Sequence, residues 1–343
     1  MRFFQFFQQE LAVDLGTANT LIIQDGKVVV DEPSIVAINR STNEIMAVGM
    51  KAMMMHEKTG DNIKTVRPLK DGVIADFQAA EALIQGLINM ITEKKKFFTH
   101  LKMVICIPSG ITEVEKRAVF DSADHIDSKE TYLIHEPMAA ALGIGIDVEA
   151  PEGTMIIDIG GGTTEIAVIA LSGIVTDQSI RTAGDEFTND VIDFMRRKHN
   201  LLIGERTAEN IKINVGAAIE DLENPPEKIA INGRDLLTGI PKQVFTNHYE
   251  VAEAIDKSIS KIEDAVLKAL EDTPPELASD IYRNGIWLTG GGALLRGLDV
   301  RLSRKTKLNV YVADDPLKAV VRGTSLALKN TGKYSFLIER QVL

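Results

Sequence analysis

The chain has 343 residues, enough for about two domains, and it is acidic: 38 Lys and Arg against 49 Asp and Glu give a formal charge of −11. That balance lacks the basic footprint of a general nucleic-acid binder, the single cysteine excludes a disulfide framework and favours the cytoplasm, and the six histidines show no metal-ligand spacing. No apolar run approaches the ~18 residues that cross a bilayer and no signal peptide with a cleavage site is visible, so a soluble protein is expected.

In chain order, Met1-Arg2-Phe3-Phe4-Gln5-Phe6-Phe7-Gln8-Gln9 gathers four phenylalanines on one side at helical spacing. This predicts an interfacial membrane anchor, with core packing as the alternative. Residues 11–13 and 20–23 read as strands around Asp14-Leu15-Gly16-Thr17-Ala18-Asn19. Glycine there permits conformations that aim successive amides at one point, which suits a phosphate. A carboxylate beside a phosphate is repelled unless a divalent cation lies between them, so Asp14 implies Mg²⁺, held largely through water. Residues 33–65 read as less regular, with 50–56 as a small flexible lobe. Lys94-Lys95-Lys96-Phe97-Phe98 forms a second aromatic group whose lysines are placed to snorkel toward anionic headgroups, again with core packing as the alternative. Cys106 lies in the apolar run 103–108 and reads as a buried strand residue rather than a nucleophile.

Pro137 suits the first position of a helix and Glu136 the cap before it, which sets a carboxylate at a helix mouth. Ala139, Ala140, Ala141 and Gly143 then allow close helix crossing at a domain junction, a geometry that permits shear; an ordinary capped helix is the alternative. Residues 155–157 and 166–169 flank Asp158-Ile159-Gly160-Gly161-Gly162-Thr163-Thr164-Glu165, a second copy of the strand, turn and strand seen at Asp14. Two copies in corresponding positions predict a duplicated protein whose halves grip one polyphosphate. Plain hairpins with Asp and Gly in turn roles remain the alternative. The P-loop and Rossmann glycine patterns are both absent from the sequence. Residues 188–206 and 207–223 read as charged helices, the second placing Glu209 and Lys212 on one face. Pro225-Pro226 breaks the chain before a strand at 228–233, and 250–271 form a long helical pattern. Trp287-Leu288-Thr289-Gly290-Gly291-Gly292-Ala293 reads as a strand and turn that open a helix facing a phosphate or a sugar edge. The apolar residues of the tail 334–343 cover either a core edge or a partner.

Asp14-Leu15-Gly16-Thr17, Asp158-Ile159-Gly160-Gly161-Gly162-Thr163 and Leu288-Thr289-Gly290-Gly291-Gly292 resemble the two phosphate motifs and the adenosine motif of the actin, sugar-kinase and heat-shock-chaperone superfamily. Within it the chain is most similar to the MreB family of bacterial actins. Asp31-Glu32-Pro33-Ser34, Glu136-Pro137-Met138-Ala139 and Asp315-Pro316-Leu317, together with the stretches 65–77 and 207–212, carry that similarity over nearly the whole length. The resemblance implies an actin-like α/β fold of two duplicated domains, each with a larger and a smaller subdomain, and a nucleotide in the cleft between them. Subdomain IA would be 1–32, 66–145 and 315–343, IB 33–65, IIA 146–181 and 246–314, and IIB 182–245.

By the same resemblance, Gly16, Thr17, Ala18 and Asn19 and the matching Gly160, Gly161, Gly162 and Thr163 hold the phosphates of ATP. Asp14 and Asp158 anchor Mg²⁺, Glu136 orients the attacking water, and Asp158 shares the catalytic role. Glu209 and Lys212 contact the nucleoside, with Gly184, Asp185, Gly290, Gly291, Gly292 and Ala293 completing its pocket. The family usually has a second acid where this chain has His135, a departure that bears on the pH dependence or rate of hydrolysis and leaves Glu136 in place. Actins also carry a lysine in the first loop; residues 17–19 have none, which shifts charge neutralisation to the metal and the amides. The resemblance further implies a slow ATPase that polymerises as antiparallel paired protofilaments on the inner face of the cytoplasmic membrane. With proteins of the rod-shape morphogenesis complex, such filaments organise cell-wall elongation and maintain rod shape. An acidic protein needs local patches to attach there, here Phe3, Phe4, Phe6, Phe7, Phe97 and Phe98, and a polymer multiplies such weak contacts. A metabolite kinase of the same superfamily is the alternative, and needs a second substrate pocket with a carboxylate base. A chaperone-type module needs a further domain after residue 330.

Overall fold

The structure, a computed structural model, describes residues 8–91, 100–126 and 128–340; the six phenylalanines assigned to the membrane lie outside them. The chain divides into two compact units, one of Met1–Pro151, Ile169–Ile174 and Leu317–Leu343, the other of Glu152–Val168 and Val175–Pro316.

The first unit is built on a six-stranded sheet in the order Ile338–Arg340, Ser128–His135, His100–Ile107, Gln8–Leu15, Asn19–Gln24, Lys27–Pro33. Its central strands pair in parallel. Leu11, Ala12, Val13, Met103, Val104 and Ile105 are all at most 1 % exposed, so both sheet faces are covered and the strands read as unbroken apolar runs. The tail strand lies antiparallel on Ser128–His135, with Leu133 opposite Glu339, so the apolar tail closes a sheet edge. One face packs on the helices Phe77–Ile91 and Glu113–His125, through Leu83, Leu87, Val119 and Ala123. Helices Glu136–Gly143 and Ala319–Lys329 also meet this sheet and cross each other backbone to backbone.

Within residues 50–56, read as a small flexible lobe, Met50–Met55 form a helix on the small sheet Ile45–Val48, Val36–Asn39, Ile63–Val66. Fully buried Ile35, Ala37 and Ala52 give that helix a core of its own.

The second unit centres on the sheet Gly173–Ile180, Thr164–Ala170, Thr154–Ile159, Ile286–Thr289, Val310–Val312. Its core joins Met155, Ile157 and Val168 to Phe187, Ile211 and Ile259 from the helices Gly184–His199, Glu205–Val215 and His248–Glu271. Helix limits differ from the sequence reading, most of all at three points. The first charged helix ends at His199, where Asn200 turns left-handed at φ 49°. The second ends at Val215 rather than 223, because the extended residue Gly216 lies so close to its preceding turn that a Cβ would come within 3.0 Å of the Lys212 carbonyl carbon. After Gly290 the chain makes only a 3₁₀ turn, Gly291–Leu294, and the α-helix begins at Leu298, with left-handed Gly297 (φ 73°) between them.

Candidate functional site

In the first unit, Asp14 sits at the end of a central strand, and the hairpin register pairs Asp14 with Leu21 and Leu15 with Thr20. A Cβ on Gly16 would lie 2.6 Å from the Asn19 carbonyl oxygen, so only glycine fits this turn. The loop is held from outside. The Ser34 hydroxyl donates to the Gly16 carbonyl at 2.6 Å, the Ser34 amide to the Ala18 carbonyl at 2.8 Å, and the Gly72 amide to Thr17 Oγ1 at 3.0 Å. Fixing the loop through its carbonyls and one side chain sets the backbone conformation on which its anion-binding capacity depends.

The Cys106 thiol, one strand over, donates to Asp14 Oδ1 at 3.1 Å. Burial raises the Asp14 pKa to about 6, an effect that the Cys106 hydrogen bond partly offsets. Burial pushes the Cys106 thiol well up, and the negative charges of Asp14 and Glu136 push it further. Asp14, Cys106 and Glu136 therefore share one electrostatic locality. Glu136 is not the helix cap. The helix starts one residue earlier than the sequence reading placed it, so His135 (φ −69°, ψ 135°) is the cap, Glu136 is the first helical residue, and Pro137 sits in the first turn, where no amide is required. The His135 ring lies 3.4 Å from the Pro108 carbonyl through Nδ1 and 4.0 Å from the tail residue Glu339 through Nε2.

In the second unit, the Gly160 amide donates to the Thr163 carbonyl at 2.9 Å and closes the second hairpin. Asp158 is 6 % exposed, stands in register with Thr289, and accepts from the Thr289 hydroxyl at 3.0 Å. A Cβ on Gly290 would lie 2.6 Å from Asp158 Oδ1 and one on Gly292 2.7 Å from the Ile159 Cβ, so the third glycine segment lies directly against this loop. Ala293, 4 % exposed, follows within the 3₁₀ turn. The Gly184 and Asp185 amides donate to the Gly160 and Gly161 carbonyls at 3.1 and 2.8 Å, which makes the start of that helix a brace for the loop.

Glu209 and Lys212 do share a face and pair at 2.6 Å. They are not a loose surface pair: Lys212 Nζ also donates to the Gly184 carbonyl at 2.8 Å and to Thr188 Oγ1 at 3.0 Å, and the Thr188 hydroxyl lies 2.7 Å from Glu209 Oε2. Sequence reasoning missed Thr188, Ser34 and Thr289; Cys106 is the buried strand residue it expected, and only its bond to Asp14 went unforeseen. Thr188 has a legible signal, one helical turn beyond Gly184; the others depend on strand register.

The arrangement fits a hydrated divalent cation with a polyphosphate. Among the described residues no cluster of three or more His, Cys, Asp and Glu side chains is assembled to strip an ion of its water. The raised pKa of Asp14 reflects a desolvated carboxylate, and no cationic side chain is among the described groups that set it.

The MreB/Mbl protein family matches the chain over residues 8–335. The chain is 45 % identical over 328 residues to the cell shape-determining protein Mbl of Bacillus subtilis, covering 95 % of this chain and 98 % of that protein. It is likewise 45 % identical over 333 residues to the cell shape-determining protein MreB of Escherichia coli, covering 96 % and 95 %. Among solved structures, MreB5 of Spiroplasma citri bound to AMPPNP superposes with a TM-score of 0.90 at 38 % identity over 95 % of this chain and 97 % of that one, and the same protein has been solved with ADP. A MamK double helical filament superposes with a TM-score of 0.75 at 21 % identity over 93 % of this chain and 98 % of that one, a likeness of fold alone.

Proposed function

The chain belongs to the MreB/Mbl family of actin-like proteins, and from that premise we propose that it binds ATP with Mg²⁺, polymerises on the inner face of the cytoplasmic membrane and hydrolyses ATP slowly to time filament turnover. The observation that carries the reading is the repeated hairpin. Each copy ends a central strand in an aspartate that accepts from the neighbouring strand, and continues into a glycine-containing turn. The AMPPNP- and ADP-bound relative at 38 % identity supports the choice of ligand.

The chain's own groups divide the work as follows. The loops 16–19 and 160–163 bind the phosphates through backbone amides, and Asp14 and Asp158 hold the hydrated metal. Mg²⁺, held there when bound, would supply positive charge against the negative charge that develops on the transferred phosphoryl group. Glu136, in the first turn of its helix and near enough to Cys106 for its charge to raise that thiol, accepts a hydrogen bond from the attacking water and acts by positioning it. Glu209 and Lys212, held by Thr188, contact the nucleoside. The filaments organise cell-wall elongation and maintain rod shape together with the membrane and a rod-shape morphogenesis complex. The phenylalanine-rich segments at 3–7 and 97–98 supply the apolar anchors, with avidity from the polymer.

Sedimentation with ATP, Mg²⁺ and anionic lipid vesicles tests this reading. The expected result is nucleotide-dependent pelleting that carries the vesicles down. A protein that stays monomeric under all nucleotide and salt conditions while phosphorylating a small metabolite would be a kinase instead.

A further inference from the structure

The duplication extends past the loops to a residue one strand away. Cys106 S–H donates to Asp14 Oδ1 at 3.1 Å, and Thr289 O–H donates to Asp158 Oδ1 at 3.0 Å. In both units the donor comes from the strand paired in parallel with the aspartate's own. Val13 is in register with Ile105, which sets Asp14 beside Cys106 at the next step, and Asp158 is directly in register with Thr289. Both donors are buried, Cys106 at 4 % and Thr289 at 0 % exposure, and each follows an apolar stretch of strand where a valine or isoleucine would pack. A hydroxyl taken fully out of water is costly unless it is bonded, so Thr289 sits there at a net gain only through its partner.

We propose that Cys106 and Thr289 are matched positioning residues, each holding Oδ1 of its aspartate so that the carboxylate presents one fixed edge to the hydrated divalent cation of the bound nucleotide. The inference rests on the ATP and Mg²⁺ reading above. A carboxylate held in one rotamer loses less freedom when it meets the metal's water shell, and that saving appears as metal affinity. The two donors are unequal, because a thiol is the weaker hydrogen-bond donor. Loss of Thr289 therefore costs more than loss of Cys106.

The test is binding of a fluorescent N-methylanthraniloyl-ATP to the full chain, titrated with Mg²⁺ and repeated in EDTA. Thr289→Val, which keeps the shape and removes the donor, raises the half-saturating Mg²⁺ by about tenfold, equivalent to roughly 1.4 kcal/mol. Cys106→Ala raises it by about threefold. Thr289→Ser and Cys106→Ser, which keep an O–H, stay close to the parent. Metal-free nucleotide binding is unchanged in all four. Unchanged Mg²⁺ dependence in Thr289→Val and Cys106→Ala overturns the proposal. So do serine variants as weak as the valine and alanine ones, or an equal loss in EDTA, which marks a merely structural role. Should Cys106→Ala fail to fold, Thr289→Val decides alone, since it alters the other unit. A parent protein whose nucleotide binding ignores Mg²⁺ removes the underlying reading as well, an outcome separate from normal binding with unaffected variants.

Discussion

Replacing Gly143 by alanine adds one methyl group where two helices touch through their backbones. On the helix Glu136–Gly143, a Cβ at position 143 would lie 2.7 Å from the Ala319 carbonyl carbon and 2.9 Å from the Gly323 amide nitrogen. The contact is reciprocal: a Cβ at Gly323 would lie 2.6 Å from the Ala139 carbonyl carbon and 2.9 Å from the Gly143 nitrogen. Non-bonded carbon atoms rest at ~3.5–4.0 Å and the Ala319 and Ala139 carbonyl oxygens lie nearer still, so the helices must part by at least about 1 Å, and no flexible side chain can absorb the change. Alanine is the better helix former by about 1 kcal/mol, which works in the opposite direction. Overpacking against rigid backbone lies at the upper end of its usual range of about 1–3 kcal/mol, leaving a net loss of roughly 2 kcal/mol. For a unit of this size that is a fall in melting temperature of about 4–8 °C. The measurement is chemical and thermal denaturation of the monomer in EDTA, with Gly332→Ala as control, since a Cβ there meets nothing within 4 Å. The double variant Gly143→Ala, Gly323→Ala should cost less than the sum of the two, because one separation relieves both clashes. A Gly143→Ala protein as stable as its parent, or more stable, refutes the argument from close approach.

Asp14 gives a pH signature in the metal-free protein. Its pKa is about 6 in the folded chain against an ordinary 3.8, so the folded state holds a proton that the unfolded state has released. Stability from this group is complete below pH ~4 and is lost as pH rises through about 6, a total of about 3 kcal/mol. Asp14→Asn should remove that decline in EDTA, and in the parent Mg²⁺-nucleotide affinity should weaken as pH falls below 6; equal pH–stability curves for the two proteins would sink the assignment. Glu136→Gln should slow phosphate release on the order of 10²-fold with nucleotide affinity retained, and loss of binding in a filter assay would count against a role in positioning water. Removing residues 1–8 and replacing Phe97 and Phe98 by serine should leave ATP-dependent pelleting intact and abolish vesicle co-sedimentation, while persistent co-sedimentation would reject both segments as anchors.

What was legible in the sequence was contiguous. Each aspartate hairpin carries its own strand residues, its carboxylate and its glycine within one short stretch, and the spacing of Glu209 and Lys212 places them on one helix face without tertiary information. The helix limits failed where two punctuators competed. Pro225-Pro226 is the louder stop, yet the helix ends at Gly216, whose absent side chain lets the chain fold back on the Lys212 carbonyl. Likewise Gly290, Gly291 and Gly292 lower helix propensity just where a helix was expected, and the chain answers with a 3₁₀ turn. The tail's apolar residues suited either a core edge or a partner, and of them Ile338 lies in the short strand that pairs along a sheet edge.

Cys106 marks the deeper limit. Its sequence context is an apolar run, and a buried strand residue is what the structure shows. Its relation to Asp14 comes from a parallel pairing between segments about ninety residues apart, and such registers are fixed only when both sheet faces have found their helices. The same holds for Thr289 and Asp158, which lie still farther apart in the chain. A periodicity can find a face and a glycine can find a turn, but a donor that acts across a sheet belongs to the register. Such residues are identified by comparing the two halves of the duplicated fold, where the same position beside each aspartate carries a hydrogen to donate.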